Sequence, residues 1–360
     1  MTVIVTQNNI TSPNANVTAL TVDTANGLKF PNSGPLSNRN KIINGDMRID
    51  QRNAGASVSV SGDGFVNRKF PVDRFNIQRN STCVISGVQS SDVPTGQGFN
   101  HSLKAQVTTA DASIAAADYG FINYRCEGYD VADFQFGTAN AKTITISFWV
   151  KSSISGTYGF SLTNYADNRS IPINYSINSA NTWEYKTITI SGDTTGTWEK
   201  TNSGGMNIQW ALGFGTDYEG TNNTWTGSVK LGTSSKTQLI STLNATFYLT
   251  GVQLEVGSVA TPFEQRSYSD ELRRCQRYYE VLRAGGGMTW TNGNVCGSAT
   301  YKVEKRDTPS SISLITIHYE YPSGSTWQAA NINKHGFTVQ RSAAFSYIIV
   351  DATWTVNAEL

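Results

Sequence analysis

The feature that most constrains this fold is strict two-residue alternation. In Thr143-Ile-Thr-Ile-Ser-Phe-Trp-Val150, Ile144, Ile146, Phe148 and Val150 fall on one side of an extended chain, and Thr143, Thr145 and Ser147 on the other. Such a segment needs hydrogen-bonding neighbours at its edges and a core on one face. Trp149 alone breaks the polar side. Trp183-Glu-Tyr-Lys-Thr-Ile-Thr-Ile190 repeats the pattern, and Ser191-Gly-Asp193 supplies turn chemistry after it. Further candidate strands fall at 65–66, 74–78, 83–88, 101–107, 119–126, 158–163, 171–177, 206–214, 228–231 and 246–254. About ten short strands over roughly 220 residues, with no helical pattern between them, predict a two-sheet antiparallel sandwich or jelly roll across residues 41–265.

One helical periodicity follows. From Ser267 to Arg283, Leu272, Cys275, Tyr279 and Leu282 recur at spacings of three and four, the a/d pattern of a seam between helices. Ser267 and Asp270 resemble a capping box, and Asp270 and Glu271 put negative charge in the first turn. Gly285, Gly286 and Gly287 are positioned to stop the helix. The spacing therefore predicts a helix over 266–284 whose apolar stripe needs a partner, since isolated helices below about 12–15 residues are marginal. Two partners fit: the same helix of identical chains, making an inter-chain seam, or the side of the chain's own β-domain. The seam is too short to select a trimer over a dimer.

Residues 285–360 return to β character, with candidate strands at 288–290, 298–303, 311–319, 343–350 and 354–356. A core this small gains from packing against copies of itself. The run Phe345-Ser-Tyr-Ile-Ile-Val350 would be hazardous as a free edge. At the other end, residues 1–40 are rich in Asn, Thr and Ser, with extended runs at Val3-Ile-Val-Thr6 and Val17-Thr-Ala-Leu-Thr-Val22. They lack local partners, so they read either as a docking segment that orders on something else or as a disordered tail.

Composition narrows the function classes. Net charge is +1 and only 15% of residues are charged, so nothing points to phosphate neutralisation and a nucleic-acid partner. No run of about 18 apolar residues is present to insert into a membrane, and no charged-then-apolar leader is visible. Cys83, Cys126, Cys275 and Cys296 are scattered without metal-binding spacing and read as buried free thiols. His101, His318 and His335 each stand apart from any nucleophile signature. Glu199 with Asp217, or Glu127 with Asp130, are the carboxylate pairs available for glycoside cleavage, which needs them roughly 5–10 Å apart across a groove. Neither catalytic residues, a metal nor a cofactor is expected.

Sugar recognition needs flat rings for C–H faces and amides or carboxylates for hydroxyls. The stretch 194–226 offers that mixture. Trp198, Asn202, Asp217, Tyr218 and Trp225 are its candidate carbohydrate-binding residues, while Trp210, Trp149 and Trp183 sit in alternating strands and read as core.

Several ordered blocks carry a family resemblance. Asn40-Lys-Ile-Ile-Asn-Gly-Asp-Met-Arg-Ile-Asp-Gln-Arg-Asn-Ala-Gly55, Pro71-Val-Asp-Arg-Phe75 and Ser147-Phe-Trp-Val-Lys-Ser152 resemble the opening blocks of phage tail-fibre and receptor-binding proteins. Leu249-Thr-Gly-Val-Gln-Leu-Glu-Val-Gly257, Ala260-Thr-Pro-Phe-Glu264 and Cys275-Gln-Arg-Tyr-Tyr279 are similar to the closing blocks, and Gly27-Leu-Lys-Phe-Pro31 to a segment ahead of such domains. The resemblance covers residues 41–279. It implies a carbohydrate-binding-module-like jelly roll on an elongated homotrimer in the virion, made in the host cytoplasm. The expectation is a non-enzymatic tail fibre that docks on tail or baseplate proteins through residues 1–40 and adsorbs to host surface polysaccharide. A head fibre or capsid decoration protein without a receptor role is the alternative, and a glycan depolymerase a third. Related modules often carry a structural calcium, for which Asp46, Asp50 and Asp73 are the acids at hand. Arg48 stands where those modules have an acid, which weakens that case and leaves solvated turn acids, or an inter-strand ion pair with Asp73 or Arg74, as the reading.

Overall fold

The alternating segments pair into two six-stranded sheets, every pairing antiparallel. In the computed structural model, the described residues are 38–360 except 322 and 325, with the short pairs 24–25 and 28–29; of 287–296 and 342–348 only the backbone pairing is described. The expected docking segment therefore lies outside the described residues, apart from β1 (Thr24–Ala25) and β2 (Leu28–Lys29), which pair with each other. The sandwich strands are β3 (Val58–Val60), β4 (Lys69–Val72), β5 (Phe75–Asn80), β6 (Val84–Ser90), β7 (Ser102–Thr109), β8 (Tyr119–Glu127), β9 (Ile144–Ser152), β10 (Gly156–Asn164), β11 (Ser170–Ile177), β12 (Glu184–Ile190), β13 (Gly204–Phe214) and β14 (Thr246–Val256).

The sheet orders are β11-β10-β13-β8-β5-β4 and β12-β9-β14-β7-β6-β3. The chain crosses between sheets after most strands, as a jelly roll requires. Ile144, Ile146, Phe148 and Val150 point inward together and are fully buried, as their alternation predicts. Trp210 fills the centre, its ring 5.8 Å from Phe148, 5.7 Å from Phe160 and 6.2 Å from Phe75. Trp149 and Trp183 depart from the core reading. They lie half-buried on the outer face of the second sheet, where Trp149 packs on Tyr185 at 5.3 Å and Trp183 Nε1 donates to Asp92 at 3.0 Å. The break in alternation at Trp149 thus marks an aromatic on the outer face.

Residues 40–47 close the sandwich beside β14. Lys41 N–H donates to Leu254 O at 2.9 Å, Asn40 Oδ1 accepts from Leu254 N–H at 3.1 Å, and Ile43 N–H donates to the Tyr124 hydroxyl at 2.9 Å. Asn44 and Met47 adopt positive φ of 62° and 59° at this turn, and a Cβ on Gly45 would stand 2.2 Å from Val252 O. Only glycine admits that approach.

The helix is shorter than its periodicity predicts. It spans Tyr268–Gln276, nine residues, with Ser267 Oγ accepting from Asp270 N–H at 3.2 Å and donating to the Asp270 carboxylate at 2.6 Å. The following residues are strand, because Tyr279 opens β15 (Tyr279–Thr300). β15 pairs along β18 (Gly336–Asn357), a ladder that satisfies many more backbone groups than two further helical turns. The aromatic and β-branched Tyr278, Tyr279 and Val281 favour it. β16 (Ser311–Tyr321) and β17 (Trp327–Ala330) also pair with β18.

The expected inter-chain seam does not form one stripe. Leu272 is half-buried and Cys275 fully buried against Ile43, Ile49, Tyr278 and Leu360 of the same chain. Tyr279 is covered by the Arg52 guanidinium at 3.7 Å from its ring, and Leu282 enters the C-terminal core with Phe337 and Trp354. The stripe is thus consumed within the chain, because the helix breaks between its second and third members. Cys83, Cys126 and Cys275 are free and buried, whereas the Cys296 side chain and most of the run 345–350 lie outside the described side chains. Among the described residues no helix is long and apolar enough to cross a membrane.

Candidate functional site

On the outward face of the first sheet, register places polar side chains in rows. Asn76, Asn123, Gln209 and Ser161 lie side by side across β5, β8, β13 and β10. One step along, Arg125 faces Asn207, which faces Thr163; one step back, Gln78 faces Phe121, which faces Ala211. These are the non-core alternates of strands whose other faces carry Ile77, Ile122, Tyr124, Ile208 and Trp210.

Loops raise walls around the rows. Phe65 comes from the short turn Phe65–Asn67, Tyr165 and Asp167 from the β10–β11 connection, and Tyr218 from the turn Thr216–Tyr218. Together they form a groove of about 480 Å³, within the size range of ligand sites. Tyr119 stacks on Phe121 at 5.1 Å and meets Tyr218 edge-on at 5.3 Å, giving one end an aromatic floor. At the other end the Arg125 guanidinium carbon lies 4.7 Å from the Phe65 ring and 5.0 Å from the Tyr165 ring.

Between those ends the amide row is incompletely bonded. Gln78 Nε2 donates to Asn76 Oδ1 at 2.8 Å, and Asn207 accepts from Arg125 Nε at 2.6 Å while donating to Thr163 at 3.1 Å. The buried Asn123 Oδ1 and Gln209 Oε1 have no hydrogen-bond partner among the described residues, although their residues are only 1% and 6% exposed. A buried acceptor without a donor costs about 1–3 kcal/mol. Two side by side on the floor of an aromatic-walled groove are therefore suited to ligand hydroxyls. Burial also raises the Tyr119 and Tyr218 hydroxyls above their ordinary pKa and lowers that of Arg125, so the phenols stay neutral donors.

Of the residues expected in 194–226, the groove includes Tyr218. Asp217 is exposed beside it, its carbonyl accepting from Lys230 Nζ at 2.7 Å, and does not line the groove. Trp198 is a correction: it is 7% exposed, its Nε1 donates to Asp193 at 3.2 Å, and its ring meets Phe136 at 5.0 Å and Trp225 at 5.6 Å. That indole is a wall of the core with no face for a sugar. Trp225 is half-buried, with Nε1 donating to Ser191 O at 3.0 Å, and stands away from the groove lining. Asn202 instead bridges to the C-terminal sheet, exchanging bonds with Arg306 at 3.2 and 2.7 Å.

The remaining acids are engaged separately. Asp46 pairs with Arg48 at 3.0 Å, Asp50 caps the turn at Asn53 and Gly55, and Asp73 accepts from Gln51 and from Arg52 at 3.2 Å. They do not converge on one point. Glu127 accepts from Arg277 at 2.6 and 2.9 Å and from the Tyr278 hydroxyl at 2.7 Å.

The groove residues Phe65, Tyr119, Phe121, Asn123, Arg125, Tyr165 and Gln209 were not singled out by sequence. One signal was available: in Tyr119-Gly-Phe-Ile-Asn-Tyr-Arg-Cys126 both alternates carry aromatics, and only one face can be core.

No family model matches this chain, and no curated protein matches it either. Solved structures align loosely. A domain of phage CBA120 tailspike protein 4, described as enzymatically active, aligns at TM-score 0.31 and 11% identity over 51% of this chain and 19% of its own, so the match spans about a fifth of that protein. A structure titled for CBM4 aligns at TM-score 0.27 and 15% identity over 59% of this chain and 97% of its own. A CBM22-1 xylan-binding domain from Paenibacillus barcinonensis Xyn10C aligns at 0.28 and 11%, over 58% and 99%. Likenesses at this level carry no argument about ligand or activity.

Proposed function

We propose that this protein binds a glycan in the groove on the first sheet and does so as a phage tail fibre, a homotrimer on the virion that adsorbs to host surface polysaccharide without cleaving it. The observation that carries glycan binding is the pair of buried, unbonded acceptors, Asn123 Oδ1 and Gln209 Oε1, on a floor flanked by Tyr119, Phe121, Phe65 and Tyr165. Rings that stack on C–H faces beside acceptors awaiting hydroxyls are the complement of a sugar. Support for binding without hydrolysis is the acid content of the groove: Asp167 is the one carboxylate among its described lining residues, and glycosidases use two.

The fibre reading rests on the sequence blocks between residues 41 and 279 that resemble tail-fibre proteins. With the helix stripe consumed internally, a surface open to self-association is the C-terminal sheet, where the edge strand β16 exposes Ile315 at 55% and Tyr319 at 56%. Three modest sites on one body would act at high effective concentration.

Purified protein tested for retention on host envelope polysaccharide, with Tyr119→Ala alongside, checks the groove. Retention lost in the variant supports it; equal retention refutes it. Shortened polysaccharide after incubation would replace binding with depolymerisation. Light scattering on the same sample gives the oligomer, and Ile315→Asp should release monomers if β16 forms the interface.

A further inference from the structure

We infer that the glycan taken by this groove is anionic, and that Arg125 is the residue that receives its carboxylate or sulfate group. This rests on the groove being the glycan site, and the experiment below separates the two. Arg125 is 9% exposed and lines the end of the groove away from Tyr119 and Tyr218. Its Nε donates to Asn207 Oδ1 at 2.6 Å, which fixes the plane of the guanidinium, and the Phe65 and Tyr165 rings lie within 5.0 Å of it. Its terminal nitrogens make no hydrogen bond and no ion pair among the described residues. Two other buried arginines have carboxylates: Arg74 has Glu359, and Arg79 has Asp63.

An arginine that is oriented, desolvated and left with its fork open matches a planar or tetrahedral oxyanion, which it can hold through two parallel N–H bonds. The surrounding charge is of both signs. Arg68, Arg74 and Arg306 act on Arg125 as like charges. Asp167 opposes an anion from the exposed rim, forming no ion pair with Arg125. The register places the acceptors of Asn123 and Gln209 one step of two residues from Arg125 and Asn207, about 7 Å along the strands. A ligand that fills both carries its charge close to free hydroxyls, as a uronic or sulfated sugar does.

The test is an array of acidic bacterial and algal polysaccharides, each printed native, carboxyl-reduced and desulfated, together with neutral glycans, probed with the full chain. The expected result is retention on anionic spots, weakened about tenfold or more when the responsible group is removed. Carboxyl reduction and desulfation tell the two sources of charge apart. Arg125→Gln should abolish the difference between native and modified spots, and Arg125→Lys should restore part of it. Asp167→Asn, on the exposed rim, should tighten anionic glycans about two- to threefold relative to neutral ones; it keeps the inference testable should Arg125→Gln fail to fold. Equal retention on neutral and anionic spots, or an anionic preference that survives Arg125→Gln, overturns this inference and leaves the glycan site standing. No retention on any glycan overturns both.

Discussion

Two regions of this molecule bury polar groups, and they do so in opposite ways. At the junction between sandwich and C-terminal sheet the buried carboxylates are engaged: Glu359 by Arg74 and Arg52, Glu127 by Arg277 and Tyr278, and Glu280 by Lys305 at 2.6 Å. Arg74 Nε lacks a partner there, yet its guanidinium lies 3.5 Å from the Tyr278 ring. In the groove, two amide oxygens and the end of Arg125 are left open. Engaged charge joins two parts of one chain; open valence keeps a place for something else. Trp198 and Trp225 spend their indole N–H groups on Asp193 and Ser191 within the fold, so abundance of tryptophan does not mark the ligand face.

The largest blow to that contrast should come from Glu359→Gln, which leaves Arg74 buried beside a neutral group. Breaking such a pair costs about 3–5 kcal/mol, measurable by denaturant unfolding. The same residue carries a pH signature. Burial pushes the Glu359 carboxyl up, but Arg74 and Arg52 outweigh it and hold the group below its ordinary 4.5. A depressed folded value means that the stabilisation is complete above about pH 4.5 and is lost as pH falls through the folded value. The difference in melting temperature between wild type and Glu359→Gln should therefore narrow in acid. A constant difference would remove Glu359 from the junction's electrostatics.

Leu272→Asp strikes the apolar side of the junction, placing a charge beside Ile43, Ile49 and Leu360. Melting should show a loss of about 1–3 kcal/mol with unchanged mass in solution; release of monomers would revive a seam between chains. In the groove, Tyr119→Ala with Tyr165→Ala should lower glycan affinity about tenfold at smaller cost to stability, by calorimetric titration and melting. The smallest effect sharpens the contrast most. Gln209→Met should raise stability by about 1 kcal/mol while weakening glycan binding, because it removes a buried oxygen without a partner among the described residues. If stability falls instead, that oxygen is already bonded.

The fold was legible wherever one face of a strand is core. Ile144, Ile146, Phe148 and Val150 announced both the strand and its buried side. The helix start was legible too, since Ser267 and Asp270 are local chemistry. Its end was not. Three- and four-residue spacing from Leu272 to Leu282 is indistinguishable in sequence from a seam, and only the pairing of Tyr279 with Asn357, 78 positions later, turns the chain into a strand. The groove was hidden for a related reason. Asn123, Gln209 and Arg125 meet only through register between β5, β8 and β13, and an unbonded oxygen leaves no mark in sequence.

The closing turn at residues 40–47 bears on how such a protein comes into being. Asn40 and Lys41 bond to Leu254, and Arg266 reaches back to Asn40 and Ile42, contacts spanning 212 residues or more. At ribosomal rates of about 5–20 residues per second, the early turn waits roughly 10–40 s for its partners to emerge. Until then the second sheet lacks β14, which lies between β9 and β7. Long-range pairing of this kind folds slowly and favours aggregation when many copies are made together. Yield on overexpression should therefore respond strongly to lowered temperature and added chaperone, with soluble fraction as the readout.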